Sequence, residues 1–372
     1  MFKRKLVAGI LCTCMMATAL TGCGKKEEVT TADTQGISEK VYEISSNTDS
    51  MVETPEEDVT VTKDGMVRHD LTGAWITPEE AEKRYIAIMV NNIAAAMPQS
   101  GIENADVIYE MLEEGGITRL MVFFSNYEDI PKIGPVRSAR DYYQIKALEY
   151  NAILTHWGAS VYAEEYWTQH PSVSHVDLNG KDNRSAFRVQ RPGYALEHTG
   201  YTSGELINKS IEADGYVTKK EDSYTRMFDF NDTEKAPDNG KDATKIHTNY
   251  NASRTPWFEY DSETKLYKRF QYGVPQIDDE TGNQLTFKNV IVQFAPHASR
   301  EDDIGSINID LLGSGKGYYA SDGKIIPIKW EKTEFFGVTK FYTEDGEKLK
   351  LNPGKTWVTV FPDTQVSDIV IE

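Results

Sequence analysis

Between Asp106 and Arg140, acidic and basic side chains crowd into largely apolar chain: Glu110, Glu113, Glu114, Arg119, Arg137 and Arg140. Guanidinium groups hold a carboxylate, a phosphate or a sugar acid through paired hydrogen bonds, and a carboxylate placed beside them serves as an acid or a base. The same groups can instead pair with one another and fix the local fold. Strand alternation puts Glu110 and Leu112 on the opposite phase from Tyr109 and Met111, so these groups cannot all share a face. Arg137 and Arg140 are three apart, and at the start of a helix they would be neighbours, where free backbone N–H groups favour an anion.

Two histidines extend the candidate set. His156 closes the apolar run Ala152–His156, directly before Trp157-Gly158, and strand ends commonly carry functional side chains in open α/β sheets. His198 lies in the stretch 188–203, RVQRPGYALEHTGYTS. The candidate ligand-binding residues are therefore Glu113, Glu114, Arg119, Arg137, Arg140, His156 and His198. Trp75, Trp157 and Trp167 would suit stacking on a sugar, although packing is the more usual role of such rings. His170 and His175, in HPSVSH, lack the spacing of a helical metal pair, and the acidic turns lack the EF-hand pattern. Gly313–Gly317 lacks the full phosphate-loop spacing and reads as a turn. No nucleophile elbow or serine triad is present. No metal and no cofactor are expected.

The elements that carry these residues follow from local pattern. Asp106–Leu112 and Ile117–Ser125 flank Glu113-Glu114-Gly115-Gly116, and the adjacent glycines permit the positive φ angles of a tight reversal, so a hairpin is expected with two carboxylates at its tip. Ile133–Arg140 reads as a loop opening a helix over Ser138–Glu149, with Ser138 as N-cap. Ile86–Val90 and Ala152–His156 read as buried strands, and Ser160–Trp167 and Thr202–Gly215 as further helices. Strand, helix, strand in that order favours a mixed sheet.

With Met89-Val90-Asn91-Asn92, Pro98-Gln99-Ser100-Gly101, the run Glu113–Arg119 and the run Gly134–Arg140, the chain from about Tyr85 onward resembles the YerB-like bacterial lipoproteins. The resemblance implies two domains of unknown function and brings no activity with it. Where that family usually has Asp-Asn, this chain has Asn91-Asn92, so no carboxylate stands at 91. Where the family has Pro-His-Asn before Tyr-x-Ser, this chain has Glu197-His198-Thr199, with Tyr201 and Ser203 retained.

The whole chain divides by composition. Residues 1–22 form a lipoprotein signal peptide: Lys3, Arg4 and Lys5 precede the apolar Leu6–Leu20, and Leu20-Thr21-Gly22-Cys23 resembles a lipobox. Cys23 is expected to carry the lipid, which would place the protein on the outer face of the bacterial cytoplasmic membrane without a transmembrane helix. Cys12 and Cys14 leave with the signal, so the mature chain has no free thiol and no disulfide. Residues 23–65 are acidic and lack periodic apolar positions, a disordered tether whose random-coil reach is roughly 35 Å.

The remaining chain is expected to be α+β. An N-terminal mixed α/β domain (66–217), a linker (218–243) and a β-rich antiparallel domain (244–372) follow from the shift to short strands separated by turn signals. The formal net charge of −18 becomes −21 when the signal takes its three basic residues. A strongly acidic protein is a poor partner for nucleic acid. The expected partners are the membrane, through Cys23, and a cell-wall or anionic small-molecule ligand. The expected function is a cell-envelope lipoprotein binding an anionic or saccharide ligand in an Arg-rich cleft. The alternative is an envelope hydrolase or transferase using a Glu/His pair with arginine support.

Overall fold

A computed structural model describes residues 62–179 and 185–372. The signal segment, Cys23 and the tether up to residue 61 lie outside the described residues. Ordered structure begins inside the expected tether, because Thr62–Lys63 pairs with Met66–Arg68.

The first half of the described chain contributes β1 (Ile86–Asn91), β2 (Val107–Leu112), β3 (Thr118–Phe124), α1 (Asp141–Glu149), β4 (Ile153–His156), α2 (Val161–Gln169), β5 (His175–Asp177) and α3 (Gly204–Asp214). The second half contributes β6 (Lys241–Asp242), β7 (Lys245–Thr248), β8 (Trp257–Asp261), β9 (Leu266–Gln271), β10 (Val274–Pro275), β11 (Thr286–Phe287), β12 (Asn289–Ala295), β13 (Gly313–Ser321), β14 (Lys324–Lys332), β15 (Lys340–Thr343), β16 (Thr356–Pro362) and β17 (Ile369–Ile371). The class is α+β.

One 11-stranded mixed sheet runs through both halves in the order β6-β14-β13-β12-β16-β2-β3-β1-β4-β5, with β15 also on β14. The join is β16, which lies parallel to β12 on one side and to β2 on the other, Thr356 opposite Val107 and Thr359 opposite Glu110. The expectation of two separately packed cores gives way to this shared sheet. Local composition detects a change of texture, but it cannot detect a late strand inserted between early ones. Residues 218–243 are also strapped to the body. Lys220 Nζ donates to Asp70 at 2.7 Å, Met227 and Phe228 are buried, and Asp229–Phe230 pairs with Lys350–Leu351. The second half is itself mixed rather than purely antiparallel, because β12 and β16 run parallel.

Both faces of the sheet are covered, which explains why β1, β3, β12 and β16 are buried along their whole length and show no polar alternation. On one face, Met89, Tyr109, Met121 and Phe123 pack against Tyr142, Tyr143 and Ala147 of α1 and Trp167 of α2. On the other, Val90, Ile108, Leu120 and Trp357 pack against Ile207 and Ile211 of α3 and against Ile246, Phe258 and Tyr267 of a six-stranded sheet, order β10-β9-β8-β7-β17 with β11 on β9. Helix α3 comes close to the chain beneath it at Gly204, where a Cβ would stand 1.9 Å from the Tyr127 carbonyl oxygen.

The helix starts differ from expectation in one place that matters. Ser160 and Ser203 do cap α2 and α3, accepting from Ala163 N and Leu206 N. Ser138 caps nothing: α1 begins at Asp141 behind Arg140, and the Ser138 hydroxyl donates to the Trp157 carbonyl at 3.1 Å. Residues 134–139 are held extended instead, because their backbone groups bond to Ser100, Asn91, Gly200, Met89 and Gly158. Gly313–Gly317 is likewise the start of the long strand β13 and not a turn.

Candidate functional site

The hairpin β2–β3 places the charged groups by register. Met111 pairs with Arg119 and Tyr109 with Met121, so Arg119 points to the α1 face. The tip is a short 3-10 turn in which Gly115 and Gly116 have φ of 67° and 65°. It turns Glu113 and Glu114 toward the chain that enters α1. There, Arg119 Nη2 lies 2.5 Å from Glu113 Oε2, and Arg140 grips Glu114 with two bonds, Nε to Oε1 at 2.8 Å and Nη2 to Oε2 at 2.6 Å. Arg119 Nη1 also donates to the Ser138 carbonyl at 2.5 Å, tying the hairpin to loop 134–139.

Burial and pairing push the two tip carboxylates in opposite directions. Burial raises the Glu113 carboxyl above its ordinary value, with Arg119 and Arg140 opposing. Partial burial also pushes Glu114 upward, but the bonds from Arg140 prevail and leave it below the usual range. This part of the cluster is internally neutralised.

Glu110 is not in that cluster. It faces the second sheet, where Arg269 Nη2 of β9 meets Glu110 Oε2 at 2.6 Å, both side chains fully buried. Thr118 Oγ1 and Asn92 Nδ2 donate to Glu110 Oε1 at 3.0 and 3.1 Å. The Arg269 guanidinium lies over both the Phe258 and the Trp357 ring, 4.5 Å from each centroid, and the two rings meet edge to face.

Arg137, on the extended loop, is the least committed of the three arginines. Its Nη1 is 3.4 Å from the Glu197 carbonyl oxygen and 3.4 Å from Glu197 Oε2, and its Nε is buried without a hydrogen-bond partner. Glu197 Oε1 lies 3.4 Å from His198 Nε2. Asn91 Nδ2 is 3.1 Å from His198 Nδ1, while Asn91 Oδ1 accepts from Ile93 N. The amide thus donates to Nδ1, and the ring carries its proton on Nε2, toward Glu197. Burial lowers the His198 pKa, Glu197 opposes this, and Arg137 and Arg191 add to it, so the ring is neutral at pH 7. Arg191 braces the turn, donating to the carbonyls of Ala96, Met97 and His198.

His156 stands apart. It is fully buried, its Nδ1 donates to the Gly158 carbonyl at 2.8 Å, and its Nε2 faces His175 Nδ1 at 3.0 Å. Trp167 stacks on both rings. Burial lowers the His156 pKa, and burial together with His156 takes His175 to about 4. His170 is elsewhere, beside Tyr166 and Phe336. Among the described residues, no group of three or more His, Cys, Asp or Glu side chains is placed to hold a metal ion.

The structure therefore brings Glu113, Glu114, Arg119 and Arg140 together, sets Arg137 beside His198, and leaves His156 in an aromatic stack. Sequence reasoning misses three partners: Glu197, Asn91 and Arg269. Arg269 is buried with Tyr267 and Gln271 on one face of β9, an alternation that the fold sets and the sequence LYKRFQ does not announce. Glu197 is visible only as the neighbour of His198.

Comparison with known proteins matches this architecture to one group. Residues 71–217 match the family described as "Protein of unknown function (DUF3048) N-terminal domain", and residues 246–358 match its C-terminal domain. "Putative lipoprotein YerB" of Bacillus subtilis (strain 168) is 32% identical over 300 residues, covering 80% of this chain and 87% of that protein. The crystal structure of YerB from Bacillus subtilis superposes with a TM-score of 0.71 at 29% identity, covering 82% of this chain and 99% of that one.

Proposed function

The chain belongs to the DUF3048 family, and we propose that it is a lipid-anchored protein of the cell envelope that binds an anionic ligand at Arg137 and His198. The anchor is Cys23 and the location the outer face of the cytoplasmic membrane. Support comes from the lipobox-like Leu20-Thr21-Gly22-Cys23 and from the relative's description as a lipoprotein. Among the described residues, no helix is long and apolar enough to cross a membrane. Cys23→Ala should move the protein from the membrane fraction to the soluble fraction or leave it unprocessed. Normal membrane retention of processed Cys23→Ala protein would overturn the anchor.

One observation carries the binding reading: Arg119 and Arg140 face carboxylates at 2.5–2.6 Å, whereas Arg137 has only 3.4 Å contacts. A guanidinium that keeps donor capacity, with 25% of its side chain open to solvent, suits a carboxylate or phosphate from a small molecule or a cell-wall saccharide. The hydrolase or transferase alternative receives less support. The nearest Glu/His pair, Glu197 and His198, has its ring proton facing the carboxylate, and the other imidazole nitrogen is occupied by Asn91. The test is titration of the folded protein with acetate and with inorganic phosphate, followed through the His198 ring resonances. Arg137→Ala should abolish the response to the anion that wild type binds. An unchanged response in that variant would overturn the reading.

A further inference from the structure

The side chain of Glu197 occupies the space in front of the donors just described, and it does so in a particular way. Its two oxygens are read by two different groups: Oε2 faces Arg137 Nη1 at 3.4 Å, and Oε1 faces His198 Nε2 at 3.4 Å. Neither contact is at hydrogen-bond length for a charge-assisted pair, which is about 2.7–2.9 Å. The carboxylate is 52% exposed, while the His198 side chain is 5% exposed and Arg137 Nε is buried and unpartnered. His198 is thus enclosed and Arg137 reaches from a buried Nε to a quarter-open head, while the acceptor stands loosely at the mouth.

The two donors are fixed through the backbone. Arg137 N donates to the Met89 carbonyl and the Arg137 carbonyl accepts from Trp157 N, so the loop is pinned on both sides. The His198 carbonyl is held by Arg191, and its ring by Asn91 at the end of β1. Glu197 has no comparable anchor on its side chain beyond these two contacts, and it projects from a 3-10 turn whose preceding residue, Leu196, is 67% exposed.

We propose that the ligand of this site carries a carboxylate, and that Glu197 is its built-in stand-in, holding the seat between Arg137 and His198 until the ligand's carboxylate displaces it. The assignment rests on the anion-binding reading of Arg137 and adds the ligand class and a competing occupant. An incoming carboxylate without a backbone tether can move inward. It then takes Arg137 Nη1 and His198 Nε2 at full hydrogen-bond length and also reaches the unused Arg137 Nε. Glu197 swings into solvent, where its charge is hydrated. Both end states satisfy every charge, so exchange costs little and ligand affinity is set by the difference between two carboxylates in one seat.

Two variants separate occupancy from a simple field effect, with acetate as the probe and the His198 ring resonances as the readout. Glu197→Gln removes the competing charge. Glu197→Asp keeps the charge but shortens the arm, taking the carboxylate away from both donors. Under the proposal both bind acetate more tightly than wild type, by roughly two- to fivefold, the range of a surface ion pair. A gain in Glu197→Gln alone would mean that only the local field changed and would overturn the stand-in. Wild-type affinity in both Glu197 variants, with loss in Arg137→Ala, would overturn the stand-in and leave the binding site standing. A response to inorganic phosphate and none to acetate would overturn the carboxylate assignment. An Arg137→Ala protein that binds acetate like wild type would overturn this inference and the site together.

Discussion

On one face of the β2–β3 hairpin, Glu110 is fully buried and takes bonds from Arg269, Thr118 and Asn92. At the rim of loop 134–139, Glu197 is half exposed and stands 3.4 Å from each of two donors. Both regions consist of a carboxylate facing a guanidinium, so residue type does not distinguish them. Burial and bond length do. Both oxygens of Glu110 are used at 2.6–3.1 Å and its arginine lies against two rings, away from solvent, which makes that pair an internal rivet between the two sheets although Arg269 Nε and Nη1 have no partner. Glu197 is half exposed and meets neither of its partners at full hydrogen-bond length, which makes that pair replaceable. A buried ion pair resists exchange, because removing either partner strands the other in a medium that cannot hydrate it.

The most damaging test of this contrast is Arg269→Ala. It leaves the Glu110 carboxylate buried without its cation, and stability should fall by about 3–5 kcal/mol. Chemical denaturation would measure it. A loss within ~1 kcal/mol would mean that Glu110 is neutralised by other means and would erase the distinction.

A cluster with the opposite imbalance sharpens the comparison. Lys146 of α1 and Lys332 of β14 both pair with Glu149, at 2.8 and 2.9 Å, and all three side chains are buried. Burial, aided by Lys332 and opposed by Glu149, takes Lys146 from 10.5 down to about 8. Because the folded-state value lies below the unfolded one, the unfolded chain binds the extra proton between them. The Lys146 contribution is therefore full above about 10.5, and stability is lost as pH falls toward about 8. From pH 8 to pH 9.5, wild type should gain about 1–2 kcal/mol relative to Lys146→Met, since a tenfold change in a protonation equilibrium is worth about 1.4 kcal/mol. Parallel pH profiles of the two proteins would exclude the imbalance.

The smallest stability effect is expected at the open pair. Arg137→Ala should change unfolding free energy by less than about 1 kcal/mol, as for an exposed ion pair, although it removes the anion response. A large drop in Tm in that variant would turn the open pair into a second rivet.

How much of this can be read in the chain depends on the range of the interactions. The hairpin is legible because two adjacent glycines and the flanking strand-forming runs are local signals, and the phase argument separates Glu110 from its neighbours. Local pattern puts Arg137 on a helix because Ser138 resembles an N-cap and apolar spacing follows. Its extended backbone is imposed by Ser100, Gly200 and Gly158, which no window around 137 contains. Arg269 is 159 residues from Glu110, so neither end of that bond announces the other. Strand Thr356–Pro362 is legible as a strand, but its place between the halves is not, because neighbours in a sheet are chosen by the whole fold.

That placement has a consequence for the order in which the molecule can be made. Once residues 107–124 have been synthesised, β2 can pair with β3, but its other edge has no partner until residues 356–359 exist. For the whole interval in between, an apolar strand stands with an open rail of backbone donors and acceptors, which is the template that draws strands from other chains. Closure then brings together segments remote in sequence, a slow kind of search. The first half is a guest awaiting a late arrival, and the cell must keep it solitary until then.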